Sequence, residues 1–223
     1  MKSTEPLPAD FTVTAHTGCE GTPDNSLAAI DRAYESGADI VEIDLQYDAA
    51  GTPVLSHNTP AGGEPTLAEA FEKLAAYGNM RMNVDVKTTA HLHTVQILAE
   101  RSDVLSRIFF TGVGQKDVPA VKAAAPEIPY YLNANVLPRT FHTQIYLRLL
   151  AKRVKKTGAV GINFHYNGAS AALVNVFHKN GLLVSVWTVN NEEDMRRILT
   201  YGPDNVTTRE PSLLRGILSE KKA

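Results

Sequence analysis

The chain has 223 residues, 43% of them hydrophobic and 21% charged, and a formal net charge of −2. This profile fits a soluble globular fold long enough for one large core, and it gives no electrostatic reason to expect a nucleic-acid partner. The lone cysteine, Cys19, excludes an internal disulfide framework and a cysteine-based zinc cluster, and no apolar run is long enough to span a membrane.

The N-terminal stretch "MKSTEPLPADF" lacks the apolar centre of a secretory signal, so the cytoplasm is the expected compartment unless a leader has been trimmed. From there, β-rich runs alternate with amphipathic helical patterns. Strands are expected at 11–16 ("FTVTAH"), 39–46 ("DIVEIDLQ"), 81–87 ("RMNVDVK"), 107–112, 129–133, 159–164, 182–189 ("LLVSVWTV") and 205–208. The intervening helices fall near 25–36, 67–77, 90–101, 115–124, 140–156, 169–180, 191–200 and 210–219. After the second strand, "AAGTPVLSHN" reads as a turn and an extra β segment, 53–56, that returns His57 to the same end. Eight strand–helix pairs predict an α/β protein, a single (β/α)8 TIM barrel filling 1–223 as one domain; a doubly wound open sheet is the competitor.

Parallel strands covered on both faces should be apolar throughout. Here several turn polar on one face towards their C-terminal ends. Side chains alternate along a strand, so Glu42 and Asp44 share one face while Val41, Ile43 and Leu45 share the other. The third strand aligns Asn83, Asp85 and Lys87, the first ends in His16, the sixth carries Asn163 and His165, and the seventh puts Trp187 in line with Ser185. In a barrel these strand ends converge on one mouth. Glu42, Asp44 and Asp85 would bring three carboxylates together, which either share protons or hold a divalent cation; all-oxygen ligation favours Mg²⁺ or Ca²⁺ over zinc. Together with the fixed charge of Lys87 and two proton-exchanging histidines, His16 and His57, such a site suits phosphodiester cleavage.

These motifs resemble the glycerophosphodiester phosphodiesterase family, whose barrels include the related sphingomyelinase D enzymes. "AHTGCEGTPDNSLAAI" is similar to the family's His-Arg-Gly and Pro-Glu-Asn-Thr opening, and "GADIVEIDL", "GTPVLSHN", "PTLAEAF", "NVDVK", "VWTVNNEEDMRRIL" and "GPDNVTTREPSLL" follow in the family's order, from about residue 11 to 218. The resemblance implies His16 and His57 as the acid/base pair and Glu42, Asp44 and Asp85 as metal ligands. It also implies Lys87 near the phosphate and Trp187 against the substrate, a glycerophosphodiester cleaved to glycerol 3-phosphate and an alcohol. A sphingomyelinase D-like action on lysolipids, and a barrel that binds a phosphodiester without turnover, are the alternatives.

The chain also departs from the family pattern. Thr17 stands at the substrate-side position where the family has a phosphate-binding arginine, Asp24 replaces a glutamate, and Asn58 replaces an aspartate after His57. Asn58 can then orient His57 by hydrogen bonding alone, and the shortened "NTPAGGE" stretch implies a more open pocket. Simpler roles compete at several positions. Glu42 and Asp44 could instead pair with Lys87 or Arg81 in a structural ion network. His165 reads equally as a core histidine or as site lining, Trp187 could merely fill the barrel, and Cys19 has no base to serve it as a nucleophile. His91, His93, His142 and His178 fall on helices or their starts and should be exposed. The basic run "RLLAKRVKKTG" at 148–158 reads as the solvated outer face of a helix, with contact to an anionic membrane surface as the other reading.

Overall fold

Strands with one apolar and one polar face need two different environments, and the chain supplies both by closing its sheet on itself. The computed structural model describes residues 7–220, so the first six residues of the stretch read for a targeting signal lie outside it. The strands are β1 (Thr12–Ala15), β2 (Ile40–Tyr47), β3 (Pro53–Leu55), β4 (Arg81–Val86), β5 (Ile108–Val113), β6 (Tyr130–Asn133), β7 (Gly161–His165), β8 (Leu183–Trp187) and β9 (Asn205–Thr208). All but β3 pair in parallel in the circular order β1-β2-β4-β5-β6-β7-β8-β9, and β9 returns to β1. This is the expected (β/α)8 TIM barrel, not the open sheet. β3 adds to β2 antiparallel, with Leu45 opposite Leu55, and so brings the chain back to the end where β2 finishes.

The helices are α1 (Leu27–Glu35), α2 (Leu67–Ala76), α3 (His93–Arg101), α4 (Val118–Ala124), α5 (Gln144–Thr157), α6 (Ala171–Lys179), α7 (Glu192–Leu199) and α8 (Pro211–Glu220). Several start later than the periodicity predicts, because capping residues decide the boundary. Ser26, Thr143, Ser170 and Asn191 each accept a backbone N–H of the first turn, and Thr66 forms a capping box with Glu69. At α3 the left-handed backbone of His91, φ 55°, keeps the preceding residues out of the helix. Among the described residues no helix is long and apolar enough to cross a membrane.

The odd and even positions of the strands divide the core. Val41, Ile43 and Leu45 of β2 and Met82, Val84 and Val86 of β4 join one continuous apolar layer beneath the helices, including Phe71, Phe110 and Phe177. Inside the barrel, a separate small cluster of Ile40, Phe109 and Tyr131 makes an apolar floor. Above it the interior is polar. Asn205 donates to Thr14 Oγ1 at 2.7 Å, Ser185 donates to Asn205 at 3.0 Å, and Asn163 donates to Asn133 at 3.2 Å. Buried polar groups this numerous are tolerable only when paired, and the pairing fixes the strand ends that carry the site.

Candidate active site

The register places Glu42 opposite Asn83 and Asp44 opposite Asp85. Glu42, Asp44 and Asp85 thereby each offer a carboxylate oxygen within 4.8 Å of the others. The three are not left to find their own positions. The backbone N–H of Thr17 donates to Glu42 Oε2 at 2.9 Å. Asn25 brackets Asp44, donating to Oδ2 at 2.8 Å and accepting the Asp44 N–H at 2.9 Å. Thr111 Oγ1 lies 2.6 Å from Asp85 Oδ1. Lys87 bridges the two aspartates, with Nζ 2.8 Å from Asp44 Oδ1 and 2.5 Å from Asp85 Oδ2.

Charge bookkeeping tests whether a cation fits. Burial first, and then the neighbouring charges of Asp44 and Asp85, hold the Glu42 carboxyl well above the usual carboxylate range. Burial alone would depress Lys87, but Asp85 and Asp44 outweigh it and raise its proton affinity, so it stays charged. With all three carboxylates ionised, the cluster and Lys87 together carry two negative charges, and Lys87, whose ammonium pairs with the two aspartates, offsets the charge at Glu42 only in part. An all-oxygen donor set with that residual charge fits a hard divalent cation.

The two histidines differ. His16 follows β1 directly and is partly buried; its Nδ1 lies 2.8 Å from the Thr17 carbonyl and 3.8 Å from Glu42 Oε2. A carbonyl only accepts, so Nδ1 carries the proton and Nε2 is the free basic nitrogen. Burial, and then the positive charge of Arg209, lower the proton affinity of His16 below its ordinary value, although the Thr17 contact opposes them. His57, carried back by β3, is exposed, and its Nδ1 lies 3.3 Å from Asn58 Oδ1, the neutral contact expected from that substitution.

One cavity of about 430 Å³ collects His16, Glu42, Asp44, His57, Asp85, Lys87 and Trp187 along its walls. Thr17, expected to meet substrate, is not among them. It is buried, and its hydroxyl accepts the Asn25 N–H at 2.5 Å, so it braces the loop that fixes Asp44. Trp187 lines the cavity with its indole N–H buried and unpartnered, while His165, exposed at the end of β7, packs edge-on against its ring at 5.5 Å. His165 is therefore a support for Trp187 and not a buried core residue. His91, His93 and His178 are exposed as expected, but His142 is half-buried between Ser170 and the Leu137 carbonyl. Burial pushes the Cys19 thiol up to about 11, as suits an inert packing residue.

Three contributors carry no role in the sequence reading. Asn25 is one, although its place immediately before the Ser26 cap is a recognisable loop signal. Arg209 is another: it follows β9 directly, as His16 follows β1, and its guanidinium pairs with Asp24 at 2.6 Å. Gly112 is the third. With φ 75°, it lets β5 pass so close to β4 that a methyl group there would overlap the Val86 carbonyl oxygen and press on Asp85. Gly112→Ala is expected to cost about 2–4 kcal/mol of stability, read as a lowered denaturant midpoint.

Comparison with known proteins gives this geometry a family. The sequence model of the glycerophosphoryl diester phosphodiesterase family matches residues 16–73 and 61–213. A glycerophosphodiester phosphodiesterase of Caldanaerobacter subterraneus subsp. tengcongensis is 27% identical over 234 residues, covering 91% of this chain and 95% of the relative. Among solved structures, a glycerophosphodiester phosphodiesterase from Parabacteroides distasonis superposes with a TM-score of 0.77 at 19% identity, covering 96% of this chain and 99% of its own. An Oleispira antarctica phosphodiesterase, in complex with its product sn-glycerol-3-phosphate, does so with a TM-score of 0.73 at 23% identity, covering 96% and 97%. Those likenesses establish the shared barrel, and the match of the family's own sequence pattern across nearly the whole length establishes more: the chain belongs to the glycerophosphoryl diester phosphodiesterase family.

Proposed function

We propose that this protein hydrolyses glycerophosphodiesters to glycerol 3-phosphate and an alcohol with the help of a bound Mg²⁺ or Ca²⁺. The observation that carries this reading is the convergence of two histidines, a lysine and three carboxylates on one cavity wall. Glu42, Asp44 and Asp85 would hold the cation, which supplies charge neutralisation for the phosphoryl oxygens and the attacking or leaving oxygen. The relatives' names and the product bound in the Oleispira antarctica enzyme support the substrate class.

The chain's own residues account for the proton movements. His16 rests neutral with Nε2 free, so it takes the proton of the attacking oxygen as a new P–O bond forms. His57, at the exposed rim, protonates the departing alcohol oxygen as the original P–O bond breaks. Lys87, fixed by Asp44 and Asp85, presents positive charge to the phosphoryl group, and Trp187 offers an apolar face and an unpaired donor to the alcohol portion. Attack by water yields glycerol 3-phosphate; attack by a neighbouring hydroxyl of the substrate yields a cyclic phosphate.

The test is a panel of glycerophosphocholine, glycerophosphoethanolamine, glycerophosphoglycerol and lysophospholipids, each with Mg²⁺, Ca²⁺ or chelator. Metal-dependent release of glycerol 3-phosphate is the expected result. A cyclic product from lysolipids would transfer the assignment to the sphingomyelinase D-like reaction. Intact substrate in every condition, with metal still bound, would make this a binding barrel.

A further inference from the structure

Among the described residues eight large apolar side chains are substantially exposed, and half of them cluster: Leu137, Phe141, Ile145 and Leu149 fall within thirteen residues, and the last three are the most exposed of the eight, at 61%, 72% and 62%. They lie on the connection from β6 and on the first turns of α5, hence on the rim of the barrel where the cavity opens. Their display is built into the fold. His142 ties this connection to Ser170 Oγ at 2.7 Å and to the Leu137 carbonyl at 2.8 Å, and the Tyr146 hydroxyl accepts the Leu137 N–H at 3.0 Å.

The periodicity of α5 shows what surrounds them. Its inner face is Leu147, Leu150, Ala151 and Val154, all buried. On the opposite face Ile145 and Leu149 continue, seven and eleven residues after Ile145, into Lys152 and Lys156, with Arg148 and Arg153 on either side. The charge is one-sided over a much longer stretch. From residue 128 to 191 the sequence contains seven lysines and arginines and no aspartate or glutamate, in a chain whose net charge is −2. Among the described residues none of these seven takes part in an ion pair. Beside the apolar tip, a hollow of about 200 Å³ between α5 and α6 is lined by Arg148 and Lys179 together with amide side chains.

We propose that this sector is a peripheral docking surface for an anionic phospholipid bilayer. Phe141, Ile145 and Leu149 enter the interface between headgroups and acyl chains, and the cations of α5 and α6 meet the lipid phosphates. An exposed apolar tip bordered by unpaired cations matches such a surface in both hydrophobicity and sign, whereas a solvated outer face would not need the apolar residues. Docking of this kind holds the protein peripherally on one leaflet, and it places the mouth of the cavity near the membrane.

Cosedimentation with vesicles tests this independently of catalysis. The full chain is expected to pellet with vesicles of phosphatidylcholine containing about a third phosphatidylglycerol, to stay in solution with phosphatidylcholine alone, and to be released by high salt. Lys152→Gln is expected to lower partitioning about fivefold, and Ile145→Ser with Leu149→Ser about tenfold or more. Circular dichroism and turnover of a water-soluble phosphodiester would be unchanged in these variants, since none of the residues belongs to the cavity. Wild-type protein that stays in the supernatant of anionic vesicles, or variants that bind like wild type, would overturn the proposal. So would a wild-type dimer that Ile145→Ser and Leu149→Ser dissociate, since a second copy would then cover the face.

Discussion

Alanine at His57 is expected to lower kcat on glycerophosphocholine by about two to four orders of magnitude, as is alanine at His16, because each removes one proton transfer. The two variants should then part company on an activated substrate. With a p-nitrophenyl phosphodiester the leaving oxygen needs no proton, so His57→Ala should recover most of its loss while His16→Ala should not. An inverted pattern would exchange the two roles, and near-wild-type rates in either variant would remove that histidine from the mechanism. The acid limb of kcat/KM carries a further expectation. Burial and Arg209 depress the His16 proton affinity below its ordinary 6.5. The free base is therefore retained down through that pH and lost only as pH falls further, so the limb should lie below 6.5. Arg209→Gln should move the limb part of the way up, because burial, the larger cause, remains.

The amino-acid pattern discloses the barrel and most of the cavity wall for one reason: parallel strands should be apolar on both faces, so Glu42, Asp44, Asp85 and Lys87 stand out as violations with a period of two. His57 is legible for a different reason, because β3 is a short apolar segment between turn residues. Thr17 shows where this way of reading stops. Its neighbours in the sequence place it beside the site, but whether its side chain points to substrate or to the interior depends on the loop to Asn25, which no periodicity describes. The structure turns it inward, onto the Asn25 backbone. Arg209 and Gly112 are hidden similarly: one is a single basic residue after an unremarkable strand, the other a glycine whose purpose appears only when β4 and β5 are side by side. The exposed tip of α5 is hidden differently. Ile145 and Leu149 look like core residues in an apolar count, and only the direction of the helix shows that they face out.

Asp44→Asn is the substitution that separates a cation site from a structural ion network. The amide keeps the size of the side chain and can still accept from Asn25, so the loop and the barrel should hold; the loss is one negative charge at the centre of the cluster. If Glu42, Asp44 and Asp85 ligate a divalent cation, affinity for Mg²⁺ or Ca²⁺ should fall by at least about ten- to a hundredfold, with activity falling alongside and recovering in part at high metal concentration. Asn25→Gly, which keeps the left-handed backbone of that position (φ 54°), leaves every carboxylate in place and removes the side chain that orients Asp44, should weaken metal binding about tenfold without abolishing it. Chelation of the wild type should abolish turnover and lower Tm, because a ligand that binds only the folded state stabilises it by mass action. A purely structural network predicts the opposite on each point. Added metal would leave Tm unchanged, since Lys87 would already hold Asp44 and Asp85. Asp44→Asn would then ease the repulsion that holds the Glu42 carboxyl high, and calorimetric titration of either ion would show no heat.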